Sequence, residues 1–175
     1  MSYQVESILR TIEKGDPKSL VEGVYELERM GQSDREILPH ILKSDRTALV
    51  RWAVVIVLGL ISRREDRGVI EVLMSALRDE NQSIRVRAAE SLIELGVTDG
   101  IPTLIEALGS NEVMIGHPPE MVSDCANQIL ERVYYQNFGF DNNLDQPTKR
   151  RIMNEWKLWR NKHKENIPVE LHAQV

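Results

Sequence analysis

The stretch Ile84-Arg85-Val86-Arg87-Ala88-Ala89-Glu90-Ser91-Leu92-Ile93-Glu94-Leu95-Gly96 decides the fold. Its small or aliphatic residues at Ile84, Ala88, Ser91, Leu92 and Leu95 recur with the period of a helix face. Thirty-four residues earlier, Val50-Arg51-Trp52-Ala53-Val54-Val55-Ile56-Val57-Leu58-Gly59-Leu60-Ile61 repeats the same register: an aliphatic residue, an arginine, then small or apolar positions at +4, +7, +8 and +11. A period in the range of 20–50 residues is the mark of a stacked array.

Each of these helices follows another. Leu38, Ile41 and Leu42 form one preceding stripe, Ile70, Leu73, Met74 and Leu77 a second, and Ile101, Leu104, Ile105 and Leu108 a third, each ending in a polar turn. Weaker copies flank them, as terminal repeats must turn one face to water. In the first, Leu20, Gly23, Leu27 and Met30 form the core side and Gly31 is read as the helix stop; in the last, Val122, Ala126, Ile129, Leu130 and Val133 occupy the second-helix slots. The expected fold is all-α: a solenoid of about four helix pairs (4–31, 34–62, 67–96 and 99–135, within an array over 1–135) and a C-terminal capping helix within 136–175. Leu58, Leu73, Ala88, Leu92, Leu95 and Leu104 are its expected core.

The form "polar turn, V/I-R-x-x-A-x-x-[A/S]-L-x-x-L-G" resembles the HEAT repeat in the short form that also occurs in bilin lyases. Ile84 to Gly96 matches it almost completely and Val50 to Ile61 less well, with Val54 where a small residue is usual; in the last copy Ser123 replaces the arginine. The resemblance implies stacked helix pairs whose second helices line an inner face. Arg51 and Arg85 are expected to bond turn carboxylates such as Asp45 or Asp79, or carbonyls of the previous repeat. Phe138-Gly139-Phe140-Asp141, followed by a helix with Ile152, Trp156 and Trp159 at i, i+4 and i+7, is similar to the aromatic turn and W-x-x-W tail that follow many such arrays. The expected role is a cap, with the tryptophans inward and the basic face in water.

Charge narrows the function. Lys149 to Lys164 holds seven basic residues against Glu155, so its +6 within a total of −5 leaves the remainder near −11. An acidic remainder disfavours general nucleic-acid binding, which needs surplus lysine and arginine against phosphate. Binding of nucleic acid is therefore expected only through the basic C-terminal helix, if at all. The single cysteine, Cys125, allows no internal disulfide and fits a reducing, cytoplasmic setting. No apolar run is long enough to span a membrane, and Met1 to Asp16 has no signal-peptide core.

No catalytic or cofactor motif is present, and no histidine pair has metal-ligand spacing. The chain is read as a non-enzymatic protein-binding scaffold or adaptor with no cofactor and no metal. A bilin-lyase-like or other enzyme-associated subunit is the alternative, on fold analogy alone. The long connection from Asn111 to Met121 is either a tolerated insertion or a partner-contacting loop, with Gly116, His117, Pro118 and Pro119 as its contacts. A Cys125–His117 nucleophile is the least favoured reading, for want of an orienting group.

On the non-core side of the second helices stand Tyr25, then Trp52, Val55 and Ile56, then Val86, Glu90 and Ile93. A helix that is apolar all round, as Val50 to Ile61 is, is buried on both sides or is a binding surface. Three explanations fit: a groove for a protein partner with Trp52 at its centre, self-burial under a tight curl or under Tyr134 to Leu144, or a homodimer.

Overall fold

The computed structural model describes residues 3–33, 36–44, 46–116 and 120–163. Among them are nine α-helices, one 3-10 turn at Thr98–Gly100, and a single antiparallel bridge, Val113 with Met121, in place of any strand. The helices are α1 (Tyr3–Glu13), α2 (Pro17–Ser33), α3 (Ile37–Lys43), α4 (Ala48–Ile61), α5 (Arg67–Ala76), α6 (Gln82–Glu94), α7 (Ile101–Ala107), α8 (Val122–Tyr134) and α9 (Gln146–Lys162). They pair as α1/α2, α3/α4, α5/α6 and α7/α8, with α9 against α7. The second helices α2, α4, α6 and α8 form a continuous row of neighbour contacts, and that row is the spine of an all-α solenoid.

Local chemistry starts several of these helices where the turns sit. Asp16 Oδ1 accepts from Ser19 N at 3.0 Å, Thr47 Oγ1 from Val50 N at 3.4 Å, Asn81 Oδ1 from Ser83 N at 2.9 Å and Asp145 Oδ1 from Thr148 N at 2.9 Å. Each satisfies an amide that the first turn of a helix leaves without an intrahelical partner. Gly31 does not end α2, which continues to Ser33. A Cβ there would lie 2.7 Å from Leu38 Cδ1 and 2.9 Å from Ile61 Cδ1, so the residue is small because the next pair presses on it.

Arg51 clamps neighbouring pairs together. Its guanidinium donates to both oxygens of Asp79, Nε to Oδ2 at 2.8 Å and Nη2 to Oδ1 at 3.0 Å, while Nη1 donates to the Arg46 carbonyl at 2.7 Å. The link therefore runs forward to the following pair's turn, and Arg85 donates to the carbonyls of its own turn, Asp79 and Glu80. The carbonyls bonded are thus not those of a previous repeat, because each arginine sits at a helix start beside its own turn. Asp45 lies outside the described residues.

The six expected core residues are all buried. The core forms two clusters that meet at α6: one runs from Val5 to Leu95, the other from Val86 to Trp156. Leu92 is fully buried in α6 between the two neighbouring pairs. Leu92→Ala should therefore cost about 2–5 kcal/mol in urea-denaturation stability; a change within about 0.5 kcal/mol, the range of surface substitutions, would contradict the packing described.

Candidate interaction face and the strap across it

The sequence-derived strip splits in two. Trp52 is 5% exposed, and Val55, Val86 and Ile93 are buried with it. Tyr25 is 65% exposed, and Ile56 and Glu90 are partly exposed. The expectation of one open apolar groove centred on Trp52 is corrected: the indole is core, and the chain itself covers it.

The cover is the long connection between α7 and α8. Its stems pair as a narrow strap, Met114 N donating to Glu120 O at 2.9 Å and Val122 N to Glu112 O at 2.9 Å. Ile115 N donates to Ser83 Oγ at 3.0 Å, which ties the strap to the start of α6. Met114 is buried, and Ile115 packs against the cluster that contains Trp52. Gly116 then passes over the indole at φ +81°, and a Cβ there would lie 2.5–2.9 Å from three ring carbons of Trp52. Glycine is required twice over, by the left-handed backbone and by the close approach. His117, Pro118 and Pro119 lie outside the described residues. Self-burial is the explanation that applies at Trp52, but Tyr134 to Leu144 is not the covering segment: Phe138, Phe140 and Leu144 pack on the C-terminal cluster instead.

Beyond the strap, the remaining inner surface has two characters. On α2, Val21 and Tyr25 stand one turn apart and are 71% and 65% exposed; on α4, Ile56 and Leu60 continue the Trp52 stripe at i+4 and i+8, and Leu60 is 62% exposed. Over α6 and α8 the surface is ionic. Glu90 accepts from Arg87 Nη1 at 2.6 Å and from Arg132 Nη2 at 2.7 Å, and Arg132 also reaches Glu94 at 3.5 Å. Arg87, Glu90 and Arg132, with Glu120, Cys125, Gln128 and Ile129, line a pocket of about 400 Å³.

Cys125, which lines that pocket, is itself 4% exposed. Burial pushes its thiol up to about 12, although Arg87 nearby pulls the other way. Burial likewise raises the Tyr134 phenol to about 12. Among the described residues no group of three or more His, Cys, Asp or Glu could hold a metal ion.

The tail is a cap, as its aromatic spacing implies. Ile152 and Trp156 are fully buried. Tyr134 and Trp159 meet edge-on at 4.5 Å between ring centroids, Phe138 and Trp156 at 4.8 Å. One basic residue departs from the expected wet face: Lys149 is 2% exposed. Its Nζ donates to Asn142 Oδ1 at 3.2 Å and lies 5.8 Å from the centre of the Phe140 ring, while Ser123 Oγ donates to the same Asn142 oxygen at 3.0 Å. Lys149 thus bolts the aromatic turn to α8 and α9 and is withdrawn from the basic surface.

A row of paired helices with a lined inner face defines an α-solenoid repeat protein. Residues 35–114 match the family model for HEAT repeats. HEAT repeats commonly serve as protein-interaction scaffolds. No curated protein and no solved structure matches the chain. Among the described residues, no helix is long and apolar enough to cross a membrane.

Two measurements check this geometry. Trp52→Ala removes a buried indole and should cost about 3–5 kcal/mol of stability, where an open groove residue would leave the melting curve nearly unchanged. The second is pH dependence. The unfolded chain releases the Cys125 and Tyr134 protons near their ordinary values of 9.0 and 10.0, while the folded chain holds both to about 12. Folded protein then binds more protons, so stability should fall as pH rises from 9 to 12. The fall should be blunted in a Cys125→Ala/Tyr134→Phe variant.

Proposed function

We propose that this chain is a non-catalytic, cytoplasmic protein-binding scaffold that docks its partner on the part of the inner face the strap leaves open. The observation that carries this reading is the exposure of Val21, Tyr25 and Leu60 on adjacent second helices, while Trp52, Val86 and Ile93 in the same row are buried. Large apolar side chains grouped on one face and rimmed by charge mark interaction sites. The partner's apolar anchors meet Val21, Tyr25, Ile56 and Leu60, and its polar groups meet the Glu90–Arg132 rim. The buried thiol with its raised pKa supports a binding role over a catalytic one, because thiolate is the reactive form. The lone cysteine fits a reducing compartment.

Of the four polar groups that a tetrapyrrole-handling subunit would use, Tyr25, Glu28, Glu90 and Glu131, three accept hydrogen bonds within the chain. Glu90 is doubly paired, Glu28 accepts from Gln32, and Glu131 accepts from Asn127. Nucleic-acid binding through α9 loses support from the burial of Lys149 and from the Arg151–Glu155 pair at 2.6 Å.

The test compares wild type with a Tyr25→Asp/Leu60→Asp variant as affinity baits in native lysate, followed by titration of the identified partner. Both positions are exposed, so the variant should melt with the wild type. Loss of the anchors should weaken binding by roughly 2 kcal/mol or more. An identical set of retained proteins with equal affinity refutes the docking face.

A further inference from the structure

The row of first helices has an opening of its own. Between α3 and α5 lies a groove of about 580 Å³, with Pro39, Val69 and Val72 on its walls. Glu36 at the start of α3, Asp66 at the start of α5 and Glu71 one turn further on line it with negative charge, and Lys43 stands where α3 ends. Gly68, in the first turn of α5, has no atom within 4 Å of its Cβ position, so that wall is open.

The same chain carries a surface of opposite character. α9 packs in the first-helix row against α7 and buries Ile152 and Trp156. On its other side Arg150, Asn154, Lys157 and Leu158 follow one another at i, i+4, i+7 and i+8, all exposed, with Leu158 at 69%. One apolar side chain among cations on a helix complements an acidic groove with an apolar wall, and a helix laid in a groove is a common recognition mode.

We propose that the outer groove between α3 and α5 receives α9 of a second copy of this chain. Two copies lying antiparallel, with their first-helix rows facing, can make this contact twice, because the groove, between α3 and α5, and α9, beyond α7, lie at different places along the same row. Such an interface is isologous and closed. This surface is separate from the inner face, so pairing leaves the partner-docking residues free.

The test is sedimentation velocity of the full chain over a range of concentrations at low and high salt. Wild type should form a dimer that dissociates as salt rises, since the pairing is between exposed charges. Glu36→Lys/Glu71→Lys and Arg150→Glu/Lys157→Glu should each sediment as monomers while keeping the wild-type helical spectrum. Mixed in equal amounts they should restore the dimer, because in the mixed pair both contacts again join opposite charges. A wild type that stays monomeric at every concentration, variants that dimerise as well as wild type, or a mixture that remains monomeric each overturns the proposal.

Discussion

The inner surface depends on how closely α4 and α6 approach. Gly59 on α4 meets Ser91 on α6, and a Cβ on Gly59 would collide with the serine side chain. At that separation the apolar all-round helix α4 buries Val54, Val55, Val57 and Leu58 against its neighbours. The bidentate Arg51–Asp79 pair holds the same two helix pairs at their turn end. Both groups are largely shielded from water, 14% and 12% exposed, so this link is less screened than the surface pairs of α2 and contributes more than they do.

The strap follows from this approach. Trp52 belongs to the core cluster of the first three helix pairs, and Gly116 of the strap closes over its ring. An indole of that size left in water costs a few kcal/mol of apolar burial. Gly116, with Ile115 beside it, supplies that cover, and Ser83 Oγ ties the strap to the start of α6. The inner face is thereby divided into a part sealed by the chain and a part carrying Tyr25 and Leu60, which remains in contact with solvent.

The C-terminal cap solves a different problem. A solenoid's last pair exposes one apolar side, and here α9 covers it with Ile152 and Trp156 while the aromatic turn fills in with Phe138. Lys149 is held inside by one amide oxygen and a ring face; the nearby Asp124 carboxyl is raised by its burial and by Asp141, with Lys149 pulling the other way. Moving that lysine inward trims the basic surface to the residues that face away from the array.

The sequence by itself determined the helix pairs, their order and their core. The 3.6-residue period of Ile84, Ala88, Leu92 and Leu95 and its 34-residue repeat are local properties, and local periodicity dictates which face of a helix is buried. It also marked the residues that matter on the inner side, since an all-round apolar helix must be covered by something. What covers it is not a local property. Trp52 and Gly116 are sixty-four residues apart, and nothing in the spacing of either reports that they touch. In the sequence the glycine is a candidate contact of a long loop; only the positive φ and the ring beneath it show that a side chain has no room there. Likewise Lys149 shares the periodicity of a wet basic face, and its burial was decided by the turn that folds back from Phe138 to Asn142. Tertiary structure alone sorted the inner strip into Trp52, Val55, Val86 and Ile93 within and Tyr25 without, because burial depends on which distant segment arrives over a helix face and on how much of the face that segment can reach.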